Sequence, residues 1–225
     1  MEKMMKKLNR IVIYISLLVS ANLSVAASSK IGILVFDGFL TSDVTAPIEV
    51  FGAASKKSWF SSYEVVVISA TKETIITSEE GLKIIADKTI YDPMVLDVLL
   101  IPSAYDMDDF LSDENLISFI RTQGTSASWM ASNCSGATLL GEAGILDGKK
   151  ATTWAGGEKK LARTYPNINV QYDKNVVVGD GVITSNGGPV SYQAAFVLLE
   201  KLSSAAFAQE ISDTIQFTRL ERAFK

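Results

Sequence analysis

Residues 126–148 read SASWMASNCSGATLLGEAGILDG, and the fold is decided inside this stretch. The apolar run 126–132, with Trp129 and Met130, predicts a strand. It passes through Asn133-Cys134-Ser135-Gly136 straight into a helix predicted over 135–143 and closed by Gly144. A strand that turns sharply into a helix pushes the apical side chain out at the carboxyl end of a sheet. Doubly wound folds bind ligands at that end. The apex here is Cys134. The free N–H groups and partial positive charge of the following helix are expected to lower its thiol pKa. Gly136 allows close backbone packing at the turn. Free cysteine is also a common core residue, but the polar neighbours and the turn favour a reactive thiol.

Working outward, residues 30–36 (KIGILVF), 63–70 and 95–101 are nearly continuous apolar runs, as strands buried on both faces should be. Val44, Ile48, Phe51 and Ala54 have helical spacing within 44–55, and 113–123 predict a helix with Ser112 as N-cap. Residues 74–77 and 82–86 predict a hairpin through Glu79-Glu80-Gly81. Downstream come a helix over 157–164, a hairpin turning at Asp180-Gly181, and helices over 190–203 and 205–224. The last carries an apolar stripe (Phe207, Ile211, Ile215, Phe217) expected to cover the core. Strands alternating with helices predict an α/β fold, a single three-layer domain over 27–225 with a mostly parallel sheet.

The N-terminus sets an expected compartment. Lys3, Lys6, Lys7 and Arg10 precede an apolar segment, 11–21, and small residues follow at 24–27. That order predicts a signal peptide over 1–26, export to the periplasm and no stable membrane insertion after cleavage, the apolar run being too short to span a bilayer. Removing its four basic residues and Glu2 leaves 17 basic against 24 acidic residues. No basic stripe remains for nucleic acid, so a small-molecule ligand is expected. One cysteine forms no internal disulfide, and the absence of histidine removes Cys-His and Ser-His-Asp chemistry and His-based metal sites.

Two segments carry a family resemblance. NCSGATLLGEAGILDGKKATT (133–153) resembles the nucleophile-elbow segment of the ThiJ/PfpI family, in the class I glutamine-amidotransferase-like superfamily. VFDGFLTSDVTAPIEVFGAA (35–54) resembles its first strand, loop and helix, in the branch with isonitrile hydratases and amidotransferase-domain regulators. The likeness runs in register from about residue 30 to 199. It implies that Asp43 is the acid beside the cysteine, although an N-cap role would also explain that residue. It implies that Ser135 is the hydroxyl residue following the nucleophile. Glu49, six residues on from Asp43, either approaches the same cleft or, as expected, lies on a solvated helix face. The likeness further implies a homodimer that needs no cofactor or metal.

The departures from the family are informative. Ser135 replaces the histidine of the protease-like branch, and glyoxalase-like members also rely on histidine, so both activities are disfavoured. Pro102-Ser103-Ala104 stands where relatives have Pro-Gly-Gly, whose N–H groups form the oxyanion hole; at Ser103 and Ala104 of this substrate pocket the side chains restrict the backbone and are expected to misplace those donors. Trp154 replaces a histidine, either filling part of the pocket or, more simply, packing in the core. The regulators continue into a DNA-binding domain, which the sequence after residue 199 is too short to supply. The reading is a thiol enzyme that hydrates an isonitrile to a formamide through Cys134 and Asp43. The alternatives are a redox sensor or small-molecule binder of the same fold, and a domain with an inert thiol.

Overall fold

The computed structural model describes residues 27–58 and 61–223. The expected signal peptide lies outside them. The strands are β1 (Ala27–Val35), β2 (Ser61–Ser69), β3 (Ile75–Thr77), β4 (Lys83–Ile85), β5 (Lys88–Thr89), β6 (Val98–Ile101), β7 (Trp129–Asn133), β8 (Lys150–Ala151), β9 (Asn169–Val170), β10 (Val176–Val178) and β11 (Val182–Ser185). The helices are α1 (Thr41–Lys57), α2 (Asp108–Ser112), α3 (Glu114–Gly124), α4 (Gly136–Glu142), α5 (Glu158–Thr164), α6 (Val190–Leu202), α7 (Ala205–Thr214) and α8 (Phe217–Ala223).

The central sheet runs β10-β11-β7-β6-β1-β2-β5, parallel except for the β10–β11 hairpin. Every side chain of β6 is buried, as are Ile31, Ile33, Leu34 and Val35 of β1. Strands covered on both faces have no polar side to show, and the unbroken apolar runs follow from that. Helices α1, α6 and α7 pack together, and α2, α3 and α4 form a second group. None of the helices among the described residues is long and apolar enough to cross a membrane.

Several local expectations shift. Asp113, not Ser112, caps α3: its Oδ1 accepts the N–H groups of Asn115 and Leu116 at 2.9 and 3.2 Å. Ser112 ends the short helix α2, which the sequence reading did not foresee, and its hydroxyl donates to the Asp109 carbonyl. The expected final helix breaks at Gln216, where φ is 67°. The break brings Phe217 against Tyr192 and Phe196, with ring centroids 5.6 and 5.1 Å apart. Ile211 is fully buried, so this segment does cover the core.

Asp43 is not an N-cap. Helix α1 starts two residues earlier, and its N-cap, Leu40, has no side chain able to accept. The cap comes from the β3–β4 turn: Glu80 Oε2 accepts the Thr41 N–H at 3.0 Å and the Thr41 hydroxyl at 2.5 Å. These bonds hold the Glu80 carboxyl below its ordinary pKa, the hydroxyl bond contributing most. Glu80→Ala is expected to lower stability by about 0.5–1 kcal/mol, the scale of a lost helix cap. A depressed pKa means that the contribution is present at neutral pH and lost as pH falls below the ordinary carboxyl value through the folded one. Urea midpoints at pH 7 and pH 3 check this, with the wild-type advantage confined to pH 7.

Candidate active site

Strands β6, β7 and β11 end level, with Ile101 opposite Ser132 and Asn133 opposite Ser185. Residues just past those ends therefore converge. Cys134 sits at the apex with φ of 50°, a left-handed conformation costly for any side chain with a Cβ. The surroundings hold it there. Its N–H donates to the Ser185 carbonyl at 2.9 Å, and the Thr153 hydroxyl donates to its carbonyl at 2.8 Å. Gly136 is required next to it, because a Cβ there would stand 2.6 Å from the carbonyl oxygens of Ile101 and Pro102. The half-buried Cys134 lines a cavity of about 600 Å³.

Asp43 lies on the first turn of α1 with 0% exposure. Its Oδ1 accepts from the Gly188 N–H at 2.9 Å and the Ser191 hydroxyl at 2.8 Å. Its Oδ2 accepts from the N–H and hydroxyl of Ser103 at 3.1 and 2.6 Å. Four donors around one buried carboxyl satisfy it as a hydrogen-bonded group. Pro47 completes the attachment. A residue at 47 would normally donate its N–H to the Asp43 carbonyl, and proline has none to give. The Asn133 amide takes that carbonyl at 3.0 Å, fastening the helix that carries the acid to the residue before the nucleophile. The Ser185 hydroxyl donates to Asn133 Oδ1 at 2.6 Å and holds the amide in place.

Gly187 brings acid and thiol together. A Cβ at this position would lie 2.4 Å from Cys134 Cβ and 3.0 Å from Asp43 Oδ1, and its φ is 77°. Gly187→Ala is therefore expected to cost roughly 2 kcal/mol, from backbone strain and overpacking together. It should also slow iodoacetamide labelling of Cys134. Denaturant melts and timed labelling check both. The sequence reading did not single out Gly187, Gly188, Ser191 or Asn133. The Asn186-Gly187-Gly188-Pro189 run before a helix was the available signal.

The electrostatics correct one expectation. Burial pushes the Cys134 thiol pKa up, and the negative charge of Asp43 adds to the rise. Polar contacts with the Ser103 side chain and with the backbone and side chain of Ser135 oppose it without winning. The short helix α4 behind the sulfur does not offset the loss of water. Burial also raises the Asp43 carboxyl above its ordinary value despite its four donors. The Ser103 hydroxyl lies between the two groups: it donates its proton to Asp43 Oδ2, so towards the thiol its oxygen can only accept.

Both N–H groups at 103–104 are already engaged. The Ser103 N–H is committed to Asp43, and the Ala104 N–H points at Met107 Sδ, 3.3 Å away. Ser103 is wholly buried behind the cavity, whereas Ala104 lines it. Ser135 also lines it, its hydroxyl donating to the Ala104 carbonyl at 2.9 Å. Trp154 is not a core residue. It stands half-buried in the cavity wall. Glu49 is exposed as expected and accepts a bond from the Tyr192 hydroxyl at 2.5 Å, which with burial pushes that phenol up to about 12. Among the described residues there is no group of three or more His, Cys, Asp or Glu side chains able to hold a metal.

Comparisons with known proteins agree with this geometry. The chain is 30% identical over 191 residues to isonitrile hydratase of Pseudomonas putida, covering 84% of this chain and 78% of that one. It is 28% identical over 163 residues to protein/nucleic acid deglycase 2 of Escherichia coli, covering 70% and 88%. A crystal structure of a ThiJ/PfpI family protein from Pseudomonas syringae superposes with a TM-score of 0.75 at 25% identity, covering 85% of this chain and 76% of that one. Residues 29–201 match the DJ-1/PfpI family. With its parallel sheet, its cysteine at a left-handed elbow and these relatives, the chain belongs to the DJ-1/PfpI family.

Proposed function

We propose that this protein is an exported, cofactor-independent thiol enzyme that adds water to an isonitrile, with Cys134 as nucleophile and Asp43 as its acid-base partner. The observation that carries the reading is where the site directs its donors. Acyl transfer builds negative charge on a carbonyl oxygen and needs free N–H groups to receive it. Here the N–H groups of Ser103 and Ala104 are turned away, towards Asp43 and Met107. An isonitrile has no carbonyl oxygen, so its first step makes no such demand.

The sulfur bonds to the terminal carbon, and the thiol proton ends on that same carbon, giving a thioimidate, R–N=CH–S–Cys134. Asp43, through the Ser103 hydroxyl, takes the proton from sulfur and returns it to carbon. Water then adds to the C=N carbon, and the adduct collapses to R–NH–CHO and the free thiol. The net change is the addition of one water. A thiol held protonated beside a carboxyl suits a reaction that uses both the sulfur and its proton. Redox sensing depends on thiolate, and the raised pKa disfavours it.

Similarity to the Pseudomonas putida isonitrile hydratase supports the same reading. The enzyme is taken to act in the periplasm as a homodimer, on small molecules and not nucleic acid. N-terminal sequencing of periplasmic material, starting near Ala27, tests export. Incubating the purified protein with cyclohexyl isocyanide tests the chemistry. N-cyclohexylformamide is the expected product, and its absence would sink the hydratase reading.

A further inference from the structure

We propose that Trp154 sets the substrate class of the Cys134 site, selecting uncharged electrophiles that carry a flat ring. The inference rests on reading the cavity beside Cys134 as the substrate site. The backbone leading into Trp154 is tied to the elbow that carries the reacting sulfur. The Thr152 N–H donates to Thr184 Oγ1 at 2.8 Å, and the Thr153 hydroxyl donates to the carbonyl of Cys134 itself. The Asn186 amide holds the Thr153 carbonyl at 2.5 Å, and the Gly157 N–H returns to the Trp154 carbonyl at 2.9 Å. The backbone entering the indole is thus hydrogen-bonded to the elbow and to the strand-end loop beside it.

The ring itself is held from behind. The six-membered ring of the indole lies against Gly157, where a Cβ would stand only 2.2 Å from Cε2. Glycine at 157 is what allows the indole to lie there. Leu40, Met107, Leu111 and Leu161 supply the apolar lining, while the charged Asp106 and Lys160 are exposed at the rim. A charged substituent moving past that rim on to Leu40, Met107, Leu111 and Leu161 would lose water and find no polar partner on those four side chains. A flat uncharged ring gains stacking on the indole as well as burial.

The test uses maleimides, uncharged electrophiles in which the sulfur adds to one alkene carbon and the thiol proton ends on the other. Labelling rates of Cys134 with N-phenylmaleimide and N-ethylmaleimide are measured, and their ratio is normalised to that for free cysteine. Trp154→Ala is expected to lower the normalised ratio by about three- to tenfold, the scale of one aromatic contact. Trp154→Phe should retain most of it. Gly157→Ala should lower it too, by displacing the indole without substituting any residue that lines the cavity. Labelling by iodoacetamide, which is too small to reach the indole, should stay unchanged in all three.

A ratio equal to wild type in both Trp154→Ala and Gly157→Ala, with iodoacetamide labelling intact, overturns the proposal. Its failure is separable from that of the hydratase reading. A wild type that makes no formamide but loses ring preference in Trp154→Ala keeps the selectivity and loses the reaction. Formamide production with an unresponsive ratio does the reverse.

Discussion

Cys134→Ser is expected to reduce formamide formation from cyclohexyl isocyanide by at least about 10³-fold, to background, because it removes the nucleophile that forms the covalent intermediate. A hydroxyl keeps its proton far more tightly than a thiol and is a poorer nucleophile at every pH at which the protein is folded. The variant should still fold. The contacts that hold the elbow are made by the backbone of residue 134, through its N–H to Ser185 and its carbonyl to Thr153, and serine preserves both. Circular dichroism and the denaturant midpoint should therefore match wild type within about 1 kcal/mol, as for an isosteric change at a half-buried position. Product formation measured by gas chromatography decides the matter. Residual turnover within tenfold of wild type would mean that the sulfur is not the attacking atom.

Asp43→Asn should have the second-largest effect, a loss of about 10²–10⁴-fold in kcat/KM, the range for removing a positioned general acid-base group. Asparagine has one accepting oxygen where the carboxyl has two. It can keep the pair of donors on one side, Gly188 and Ser191 or the two from Ser103, and leaves the others facing an amide NH2. The same variant reports on the coupling of the two groups. The negative charge of Asp43 helps to raise the Cys134 thiol. Removing it should move the midpoint of iodoacetamide labelling against pH downwards, so that Asp43→Asn labels faster than wild type while turning over more slowly. A merely structural role for Asp43 would not produce that opposition.

The stability of the wild type carries the corresponding sign. A carboxyl whose folded pKa is raised binds its proton more tightly when folded. Its contribution to stability is therefore largest in acid and falls as pH rises from the ordinary carboxyl value through the raised one. The Asp43→Asn stability curve should be flatter across that interval.

The hairpin turn illustrates how far the chain could be read. Asp180-Gly181 lies between two valine-rich runs, and β10 and β11 pair as that turn requires. The elbow was equally legible, since an apolar run, a cysteine flanked by polar residues and a glycine three positions before a leucine pair are all local features. The functional partners of the cysteine were less so. Asp43 was identified through a family likeness, and its geometric role as an N-cap was misread. Ser103 was placed in the oxyanion pocket by the same likeness. It bonds instead to a carboxyl 60 positions away.

Sequence by itself determined the alternation of strand and helix, the sharp turn at Cys134 and the absence of any imidazole to assist it. These depend on periodicity, turn chemistry and composition, which are properties of neighbouring residues or of a simple count. The three-dimensional arrangement alone decided that thiol and acid meet across Gly187, that both titrate above their ordinary values, and that the indole of Trp154 forms a wall and not core. Ionisation depends on how much water is excluded and on which donors point inward. The donors to Asp43 arrive from the loop after β6, the loop before α6 and α6 itself, as much as 148 residues from Asp43 along the chain, a distance that no local pattern encodes.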